Sequence, residues 1–360
     1  MKQYKVIGLM SGTSMDGVDM AHCLLNEEDG KWSYEIMKAE TIHYDEKWRL
    51  RLSKLNRQDA VTLWKTHVFY GKYLGRLIKD FVQKHKLEVD FVASHGHTVF
   101  HDPATGYTCQ IGDGASLAVE SGLPVVCDFR STDLALGGHG APLVPVADQL
   151  LFGQYQYCLN LGGIANISGT KDGKLLAFDI CPCNIGLNRV ARNKGKHYDE
   201  NGDIARSGEV HEACLEEMNN IAYYQKFEPK SMGREWINSD FWHITKNHDL
   251  TNEDKARTLV EHAAIQIAEA IYSYVDDDED LLKSQQMLVT GGGAFNGFLM
   301  ERIIAQSPVK VIVPDAETID SKEALAFALL GALRWASQPN TLASVTGAKR
   351  DSIGGAIYLP

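Results

Sequence analysis

Glycine-rich turns that each follow an apolar run are the first feature of this sequence that could do chemistry. They lie at 12–17, at Gly162-Gly163 and at Gly291-Gly292-Gly293. Glycine has no Cβ, so its backbone can approach a phosphate or a nucleoside closely and leave N–H groups free to donate. One such turn is typical of an ordinary hairpin. Three of them at strand ends favour a binding site for a phosphorylated ligand.

The first turn also carries side chains that suit a phosphate. Thr13 and Ser14 offer hydroxyl donors, and the carboxylate of Asp16 could hold Mg²⁺ through water. Other nucleotide signatures are absent from the sequence: no GxxxxGK precedes a Ser or Thr, no HRD or DFG occurs, and the glycines at 291–297 are out of register for GxGxxG. The sequence therefore does not support a P-loop, a protein kinase or a dinucleotide-binding domain.

Three histidines offer a different chemistry. His95, His97 and His101 form an H-x-H-x3-H spacing, and on a strand the first two would share a face. No carboxylate cluster nearby in the sequence completes a metal site. A metal hydrolase that uses these histidines is kept as an alternative.

Composition and length narrow the class of protein. The 360 residues suit two medium-sized domains. The formal charge is -11 without a block of Lys and Arg, which argues against a nucleic-acid partner. No apolar stretch is long enough to span a bilayer and no signal sequence is present, so we expect no membrane partner and a cytoplasmic location. Seven scattered cysteines favour reduced, buried thiols.

The elements that must position these residues alternate between strands and helices. A strand, turn, strand, turn, strand meander is predicted at 5–10, 18–25 and 32–39, and a second one at 157–161, 165–168 and 175–180. The two meanders stand about 150 residues apart, which indicates a structural duplication. Further strands are predicted at 90–94, 124–127, 286–290 and 309–313, and helices at 62–85, 114–121, 251–275, 295–306 and 322–337. The acidic run 276–280 is interpreted as a solvated loop. This alternation places the fold in the α/β class.

Nine blocks of the sequence resemble the anhydro-N-acetylmuramic acid kinases. They follow the family's order over nearly the whole chain, so the resemblance is highly specific. The blocks are GLMSGTSMDGVD at 8–19, SHGHT at 94–98, QIGD at 110–113, DFR at 128–130, GGHGAPLVP at 137–145, NLGGIAN at 160–166, GGGAFN at 291–296, EALAFA at 323–328 and VTG at 345–347.

The resemblance implies a two-lobed actin-like ATPase (ribonuclease H-like) fold, with duplicated domains around a central cleft that holds the active site. We expect one lobe to comprise residues 1–132 with 341–360, and the other to comprise 133–340. The implied partners are ATP with Mg²⁺ and a small anhydro sugar, and a homodimer is left open. The implied reaction opens the bridge of 1,6-anhydro-N-acetylmuramic acid with water and phosphorylates it, giving N-acetylmuramic acid 6-phosphate for the recycling of cell-wall sugars.

The resemblance also assigns roles to residues. Asp179, just past the third strand of the second meander, matches the family's general base, and Glu323 matches a glutamate that helps to position the water. Thr98 and Arg130 match substrate-binding residues, and Arg130 could pair with the lactyl carboxylate of the sugar. The expected nucleotide-binding residues are Gly12, Thr13, Ser14, Met15, Asp16, Gly17, Val18, Asp19, Gly162, Gly163, Gly291, Gly292 and Gly293, with Asp16 as the metal ligand.

One segment outside these blocks departs from the pattern of the family. Where its members usually have Gly-Pro-Gly after the base, this chain has Cys181-Pro182-Cys183. We interpret the two cysteines as small buried thiols, with a redox or metal pair as the alternative. The change leaves the sugar specificity open. A kinase of another 1,6-anhydro sugar, such as a levoglucosan-like substrate, and a non-catalytic actin-like nucleotide switch therefore stay as alternatives.

Overall fold

The computed structural model describes residues 1–12, 15–226, 230–233, 236–274 and 279–360. The chain forms two units: Met1–Leu151 together with Ser321–Pro360, and Phe152–Asp320. Within the described residues, no helix is both long and apolar enough to cross a membrane. The predicted acidic loop at 276–280 falls largely outside these residues.

The strands are β1 (Lys2–Ser11), β2 (Gly17–Glu28), β3 (Lys31–His43), β4 (Phe91–Asp102), β5 (Tyr107–Ile111), β6 (Val125–Cys127), β7 (Tyr157–Leu161), β8 (Ile164–Lys171), β9 (Lys174–Pro182), β10 (Gln286–Thr290), β11 (Lys310–Ile312) and β12 (Ala356–Tyr358). The α-helices are α1 (Glu46–Lys54), α2 (Ala60–His85), α3 (Gly114–Ser121), α4 (Ser131–Ala135), α5 (Pro145–Leu151), α6 (Asn184–Asn193), α7 (Asp203–Arg206), α8 (Glu212–Asn219), α9 (Trp242–Asn247), α10 (Asn252–Tyr272), α11 (Glu279–Ser284), α12 (Gly297–Gln306), α13 (Ala316–Trp335) and α14 (Ala343–Thr346). Short helices of other types are Leu55–Arg57, Glu200–Gly202, Ala222–Gln225, Ile237–Phe241 and Gly292–Phe295.

The first unit is built on a 7-stranded sheet in the order β12-β6-β4-β1-β2-β3, with β5 paired to β4. Strands β1, β2 and β3 form the predicted antiparallel meander, and β4 runs parallel to both β1 and β6. Val6, Ile7 and Leu9 are all buried because β1 lies in the middle of this sheet. An unbroken apolar run is typical of a strand that is covered on both faces.

The second unit repeats this plan in a 5-stranded sheet with the order β11-β10-β7-β8-β9. Strands β7, β8 and β9 are antiparallel neighbours, while β10 is parallel to β7 and to β11. In both sheets a three-stranded meander is therefore extended by two parallel strands on the side of its first strand. This shared order confirms the predicted duplication and the actin-like α/β fold class.

Helix α10 begins after Thr251, whose side chain caps the first turn. The Thr251 hydroxyl accepts a hydrogen bond of 3.0 Å from the N–H of Asp254, which satisfies one of the free donors of the first turn. Apolar residues of this helix, among them Val260, Ile267 and Ile271, lie in the core of the second unit.

The limits of the units differ from those expected from the sequence. The structure assigns 133–151 and 321–340 to the first unit, whereas the prediction placed both segments in the second. The reason is the packing of α5 against β3 and of α13 against β1 and β4. The ring of Trp335 stacks on Phe91 at 4.7 Å, and a Cβ on Gly8 would lie 1.8 Å from the carbonyl oxygen of Ala324.

Candidate active site

Two of the predicted glycine turns lie side by side in the second unit. Strands β7 and β10 are parallel, with Asn160 opposite Thr290, so the turns that follow them share one edge of the sheet. A Cβ on Gly293 would lie 2.6 Å from the Cβ of Leu161, which shows how closely the two turns approach. Ligands of α/β sheets bind outside the carboxyl ends of the strands, where these turns stand.

The glycines of these turns differ in whether packing requires them. Gly291 has φ +83°, and its Cβ would lie 2.4 Å from the Oδ1 of Asn160, so the fold itself demands glycine there. A Cβ on Gly162 would approach no described atom closer than 3.5 Å, a Cβ on Gly163 none closer than 3.8 Å, and a Cβ on Gly292 none within 4 Å. At these three positions the packing of the protein does not require glycine. A phosphate or a nucleoside that lies against the backbone would require it.

The carbonyl groups of the Gly162-Gly163 turn hold the start of α6. The oxygen of Gly163 accepts hydrogen bonds from the N–H groups of Cys183 (2.9 Å) and Ile185 (3.0 Å), and the oxygen of Gly162 accepts one from Asn184 (3.2 Å). The turn is therefore fixed from one side. The N-terminal donors of α6 are used within the protein and do not form an open anion site.

In the first glycine turn, Thr13 and Ser14 lie outside the described residues. The Gly12 carbonyl accepts from the N–H of Met15, which has φ +60°. The side chain of Asp16 is exposed. A Cβ on Gly17 would lie 2.4 Å from the carbonyl oxygen of Ile42, so the pairing of β2 with β3 requires this glycine.

The last two residues of the predicted phosphate block lie in β2 and have different environments. Val18 is fully buried in the core of the first unit, so its side chain cannot touch a ligand. The Oδ1 of Asp19 accepts a hydrogen bond of 2.7 Å from the hydroxyl of Thr41. Within the described residues, no group of three or more His, Cys, Asp or Glu side chains could hold a metal ion.

Glu323 lies well inside α13, which begins at Ala316 instead of the predicted 322. Its side chain is half-buried. Burial, and then the charge of Asp19, raise the pKa of its carboxyl, while Lys322 and Arg130 act in the opposite direction. Glu323 is therefore neither fully solvated nor at the start of its helix.

Next to Glu323 the first unit contains a buried ion pair. The Nζ of Lys322 lies 2.8 Å from the Oδ1 of Asp148, and the two side chains are 5% and 9% exposed. This pair joins α13 to α5. Neither residue was identified from the sequence, because the two are far apart along the chain and belong to no local motif.

Arg130, at the start of α4, is held by two neutral groups. Its Nε and Nη2 lie 3.1 and 2.8 Å from the Nε2 of His95, and its Nη1 donates to the carbonyl of Gly140 at 2.6 Å. Burial lowers the pKa of the guanidinium to about 10, and the charge of Glu323 opposes this. Within the described part of the chain, no ion pair joins Arg130 to Asp128 or Asp133.

Asp133 supports the loop that contacts Arg130, and Thr98 has a separate partner. Asp133 is buried and accepts hydrogen bonds of 2.7 Å from the Gly140 N–H and the Thr346 hydroxyl, so it fixes the loop whose carbonyl receives Arg130. Thr98, in β4, accepts a hydrogen bond of 3.3 Å from the side-chain amide of Gln110. Thr98 and Arg130 are thus both in the first unit.

The three histidines do not form a metal site. The Nε2 of His95 faces the Arg130 guanidinium, a cation that would repel a metal ion. The Nδ1 of His97 lies 3.1 Å from the Ser11 hydroxyl, and the Nδ1 of His101 lies 3.1 Å from the Thr108 hydroxyl. Each ring therefore has a separate partner, and the metal-hydrolase alternative loses its basis.

Asp179 lies inside β9, which continues to Pro182. The predicted strand 175–180 already contained this residue, and its expected place just past the strand is wrong. The ladder shifts register there, because Asn166 pairs with Asp179 and Ala165 with Cys181. This β-bulge changes the direction of the local side chains. Burial raises the pKa of the Asp179 carboxyl to about 6, and a hydrogen bond from the backbone N–H of Met232 opposes the rise.

Two contacts of Asp179 involve residues that the sequence analysis did not identify. The Met232 N–H donates to its Oδ2 at 2.9 Å, and the hydroxyl of Tyr223 donates to its backbone oxygen at 2.7 Å. In addition, the Asp179 N–H donates to the carbonyl of Lys230. A half-buried carboxylate with a pKa near neutrality and a fixed orientation is suited to act as a general base.

The cysteines that follow Asp179 are core residues. Cys181 and Cys183 are 0% and 3% exposed and belong to the core of the second unit. Burial raises the pKa of the Cys183 thiol to about 12 and that of Cys181 well above its usual value. All seven cysteines are free, and Cys109 alone among them is not fully buried. The interpretation of this pair as buried thiols is confirmed.

Comparison with known proteins gives one consistent result. A family model described as anhydro-N-acetylmuramic acid kinase matches residues 4–360. The chain is 35% identical to the anhydro-N-acetylmuramic acid kinase of a Sulfurovum species, over 100% of both chains. It is also 35% identical to the enzyme of that name from Paramagnetospirillum magneticum, over 98% of this chain and 99% of the other.

Solved structures are more distant. The activator of the 2-hydroxyisocaproyl-CoA dehydratase from Clostridium difficile matches with a TM-score of 0.42 and 14% identity, over 90% of this chain and 93% of that one. A ROK family glucokinase from Streptomyces griseus matches with a TM-score of 0.39 and 13% identity, over 91% and 98%. Scores this low support no statement about function.

Proposed function

The chain belongs to the anhydro-N-acetylmuramic acid kinase family, and on that premise we propose that it uses ATP to open and phosphorylate 1,6-anhydro-N-acetylmuramic acid. The product is N-acetylmuramic acid 6-phosphate, so the enzyme acts in the recycling of cell-wall sugars. The proposed reaction consumes ATP, and we therefore place it in the cytoplasm, where ATP is available.

The observation that carries this proposal is the environment of Asp179. A carboxylate whose pKa burial raises to about 6 is still ionised at neutral pH, yet it accepts a proton more readily than an ordinary aspartate. We assign it the role of general base. It takes a proton from water while the water oxygen bonds to C1 of the sugar and the C1–O6 bond breaks. The electron pair of that bond stays on O6, which bonds to the γ-phosphorus as the bond to the leaving ADP breaks.

Nucleotide binding is assigned to the exposed glycine backbone. There is room for a Cβ at Gly162, Gly163 and Gly292, yet each of these residues is glycine. Their N–H and Cα groups can therefore lie against phosphates or a nucleoside. When bound, ATP supplies the γ-phosphoryl group. A Mg²⁺ ion would take most of its ligands from phosphate and water, since it usually needs only one or two protein carboxylates. Asp16, being exposed, and Asp19 are the residues we assign to it.

Sugar binding is assigned to the first unit. The guanidinium of Arg130 has five N–H groups, and three of its nitrogens each use one of them in the contacts with His95 and Gly140. The two remaining N–H groups, on Nη1 and Nη2, are free to bind the two oxygens of the lactyl carboxylate. Thr98 supplies a hydroxyl for the sugar, and we assign Glu323 to the orientation of the attacking water.

The experiment uses purified protein with Mg-ATP, 1,6-anhydro-N-acetylmuramic acid and water enriched in ¹⁸O. We expect ADP and a ring-opened sugar phosphate in equal amounts, with the heavy oxygen at C1 and none in the phosphate, when the product is analysed before anomeric exchange. The Asp179→Asn variant should bind ATP with unchanged affinity and lose turnover by about a thousandfold. ADP release without a sugar product would refute the kinase assignment. Full activity of Asp179→Asn would refute the role of Asp179 as the general base, and it would leave the kinase assignment intact.

A further inference from the structure

His95 is a buried histidine of β4 that no role assigned so far uses. It is 4% exposed, and its ring lies 4.6 Å from that of Phe327. Its Nδ1 lies 3.0 Å from the carbonyl oxygen of Gly96, and its Nε2 faces two nitrogens of Arg130. Both ring nitrogens therefore have partners inside the first unit.

The chemistry of these partners determines the state of the ring. A carbonyl oxygen only accepts, so the Nδ1 of His95 must carry the hydrogen and donate to Gly96. The guanidinium of Arg130 only donates, so the Nε2 must carry a lone pair and accept. His95 is thus a neutral imidazole in one tautomer. Burial, followed by the charge of Arg130, lowers its pKa to about 3, which agrees with the neutral form at physiological pH.

The backbone that sets this tautomer is itself fixed. Gly96 has φ +75°, and a Cβ there would lie 2.4 Å from the carbonyl oxygen of Ile111. A side chain at this position would therefore displace the Gly96 carbonyl, which accepts the hydrogen bond from the Nδ1 of His95. The conformation of the strand at Gly96 and the state of the His95 ring belong to one arrangement.

A neutral acceptor has a different effect on an arginine from that of a carboxylate. A carboxylate would fix the guanidinium and also neutralise it, because the pair is bidentate and oppositely charged. The imidazole of His95 occupies the Nε–Nη2 edge of Arg130 and removes no charge. The positive charge and the free N–H groups on Nη1 and Nη2 stay available to an anion.

We propose that His95 is a positioning residue for the sugar: it orients Arg130 through its Nε2 lone pair while leaving the arginine charged for the lactyl carboxylate. This inference rests on the substrate role of Arg130 in the proposed function. It distinguishes an acidic anhydro sugar from a neutral one, because only the acidic sugar uses the charge that His95 preserves.

The test is a set of substitutions at His95, with binding of the acidic anhydro sugar measured by calorimetry and kcat and KM measured by ADP release. His95→Leu removes the acceptor, and we expect Kd and KM to rise about tenfold while kcat changes less than about threefold. His95→Gln places an amide oxygen near the position of Nε2, and both constants should return to within about threefold of the original protein. His95→Glu neutralises Arg130, so Kd and KM should rise at least as much as in His95→Leu.

Two controls separate positioning from a loss of folding. His22→Leu changes another histidine of the first unit that is also 4% exposed and bonds to a backbone carbonyl, and it should leave Kd and KM unchanged. Adding His95→Leu to Arg130→Ala should raise Kd no further, because His95 acts through Arg130. Additive effects in that double variant, or wild-type binding by His95→Glu, would overturn the inference. Because Kd is measured without turnover, these outcomes are distinct from a failure of the kinase assignment.

Discussion

The carboxylate of Asp179 accepts a hydrogen bond of 2.9 Å from the backbone N–H of Met232. This bond stabilises the ionised form of the carboxyl, whereas burial favours the neutral form. Burial is the larger effect, since it raises the pKa from its usual value of 3.8 to about 6. In the same segment, the carbonyl of Lys230 accepts a hydrogen bond from the backbone N–H of Asp179. The bulged strand β9 and this segment together set the orientation and the basicity of the carboxylate.

The first prediction is a pH dependence of the reaction. A general base must be deprotonated to act, so kcat/KM should fall about tenfold per pH unit below the pKa of Asp179, which is about 6. It should be level between about pH 7 and 8. Initial rates at low sugar concentration between pH 4.5 and 8 would measure this limb, and a flat profile down to pH 5 would contradict the role of Asp179.

The second prediction concerns stability. The folded-state pKa of Asp179 lies above the usual 3.8, so the folded protein holds the proton more tightly, and the stability from this group is lost as pH rises from about 4 through 6. Asp179→Asn has no charge to bury. We expect it to increase the free energy of unfolding at pH 7.5 by about 1–3 kcal/mol, and by less at pH 4.5. Urea titrations of both proteins at both pH values test this, and a gain that shrinks with rising pH would oppose it.

The third prediction separates glycines needed by a ligand from those needed by the fold. Gly292→Ala places a Cβ in open space, so we expect a KM for ATP raised about tenfold with little change in Tm. Gly291→Ala forces a side chain onto φ +83° against Asn160 and should cost about 1–3 kcal/mol of folding free energy. Unchanged ATP kinetics in Gly292→Ala would remove that turn from the nucleotide site.

The fourth prediction addresses the buried pair of Lys322 and Asp148. Asp148→Ala leaves a lysine that is 5% exposed without its carboxylate, and we expect a loss of about 3–5 kcal/mol of folding free energy. The double variant Asp148→Leu/Lys322→Met removes both charges, and it should recover most of that loss. Denaturant unfolding of the two variants measures both values. Equal losses would mean that packing, and not charge, governs the site.

The fifth prediction is the reactivity of the thiols. Cys181 and Cys183 are buried, and burial raises both pKa values, so a thiol reagent at pH 7.5 should modify neither in the folded protein. The half-buried Cys109 should react first. All seven should react after unfolding in guanidinium. Rapid labelling of Cys181 or Cys183 in the folded protein, detected by mass spectrometry of peptides, would revive the redox alternative.

The sequence predicted those elements whose boundaries are determined locally. Helix α3 was predicted over its full length because Asp113 caps its start and Gly122, with φ +72°, ends it. The strand Tyr157–Leu161 was equally clear, since its apolar run stops at the Gly162-Gly163 turn.

The sequence did not predict elements that begin through distant contacts. Helix α6 starts after Cys183, which makes no side-chain capping bond, because its first N–H groups donate to the carbonyls of Gly162 and Gly163. No pattern near residue 183 announces this start. None of the helices between 184 and 250 was predicted from the sequence.

The residues of the candidate site also differ in whether the sequence alone points to them. The family resemblance proposed Asp179, Arg130 and Glu323 as site residues without knowledge of the fold. Their partners Met232 and His95 could not be predicted, because a backbone N–H has no sequence signature and a buried histidine has many uses. The bulge at Asp179 depends on its pairing with β8, which no local pattern determines.

The order of the chain has a consequence for biosynthesis. The first unit is interrupted by the second, and its edge strand β12 and most of α13 are translated only after residue 320. A ribosome therefore delivers the complete second unit while Phe91 and Ala93 in the first sheet still lack the helix residues Trp335 and Gly331 that cover them. During that interval the nascent chain exposes an apolar sheet face that a chaperone could bind.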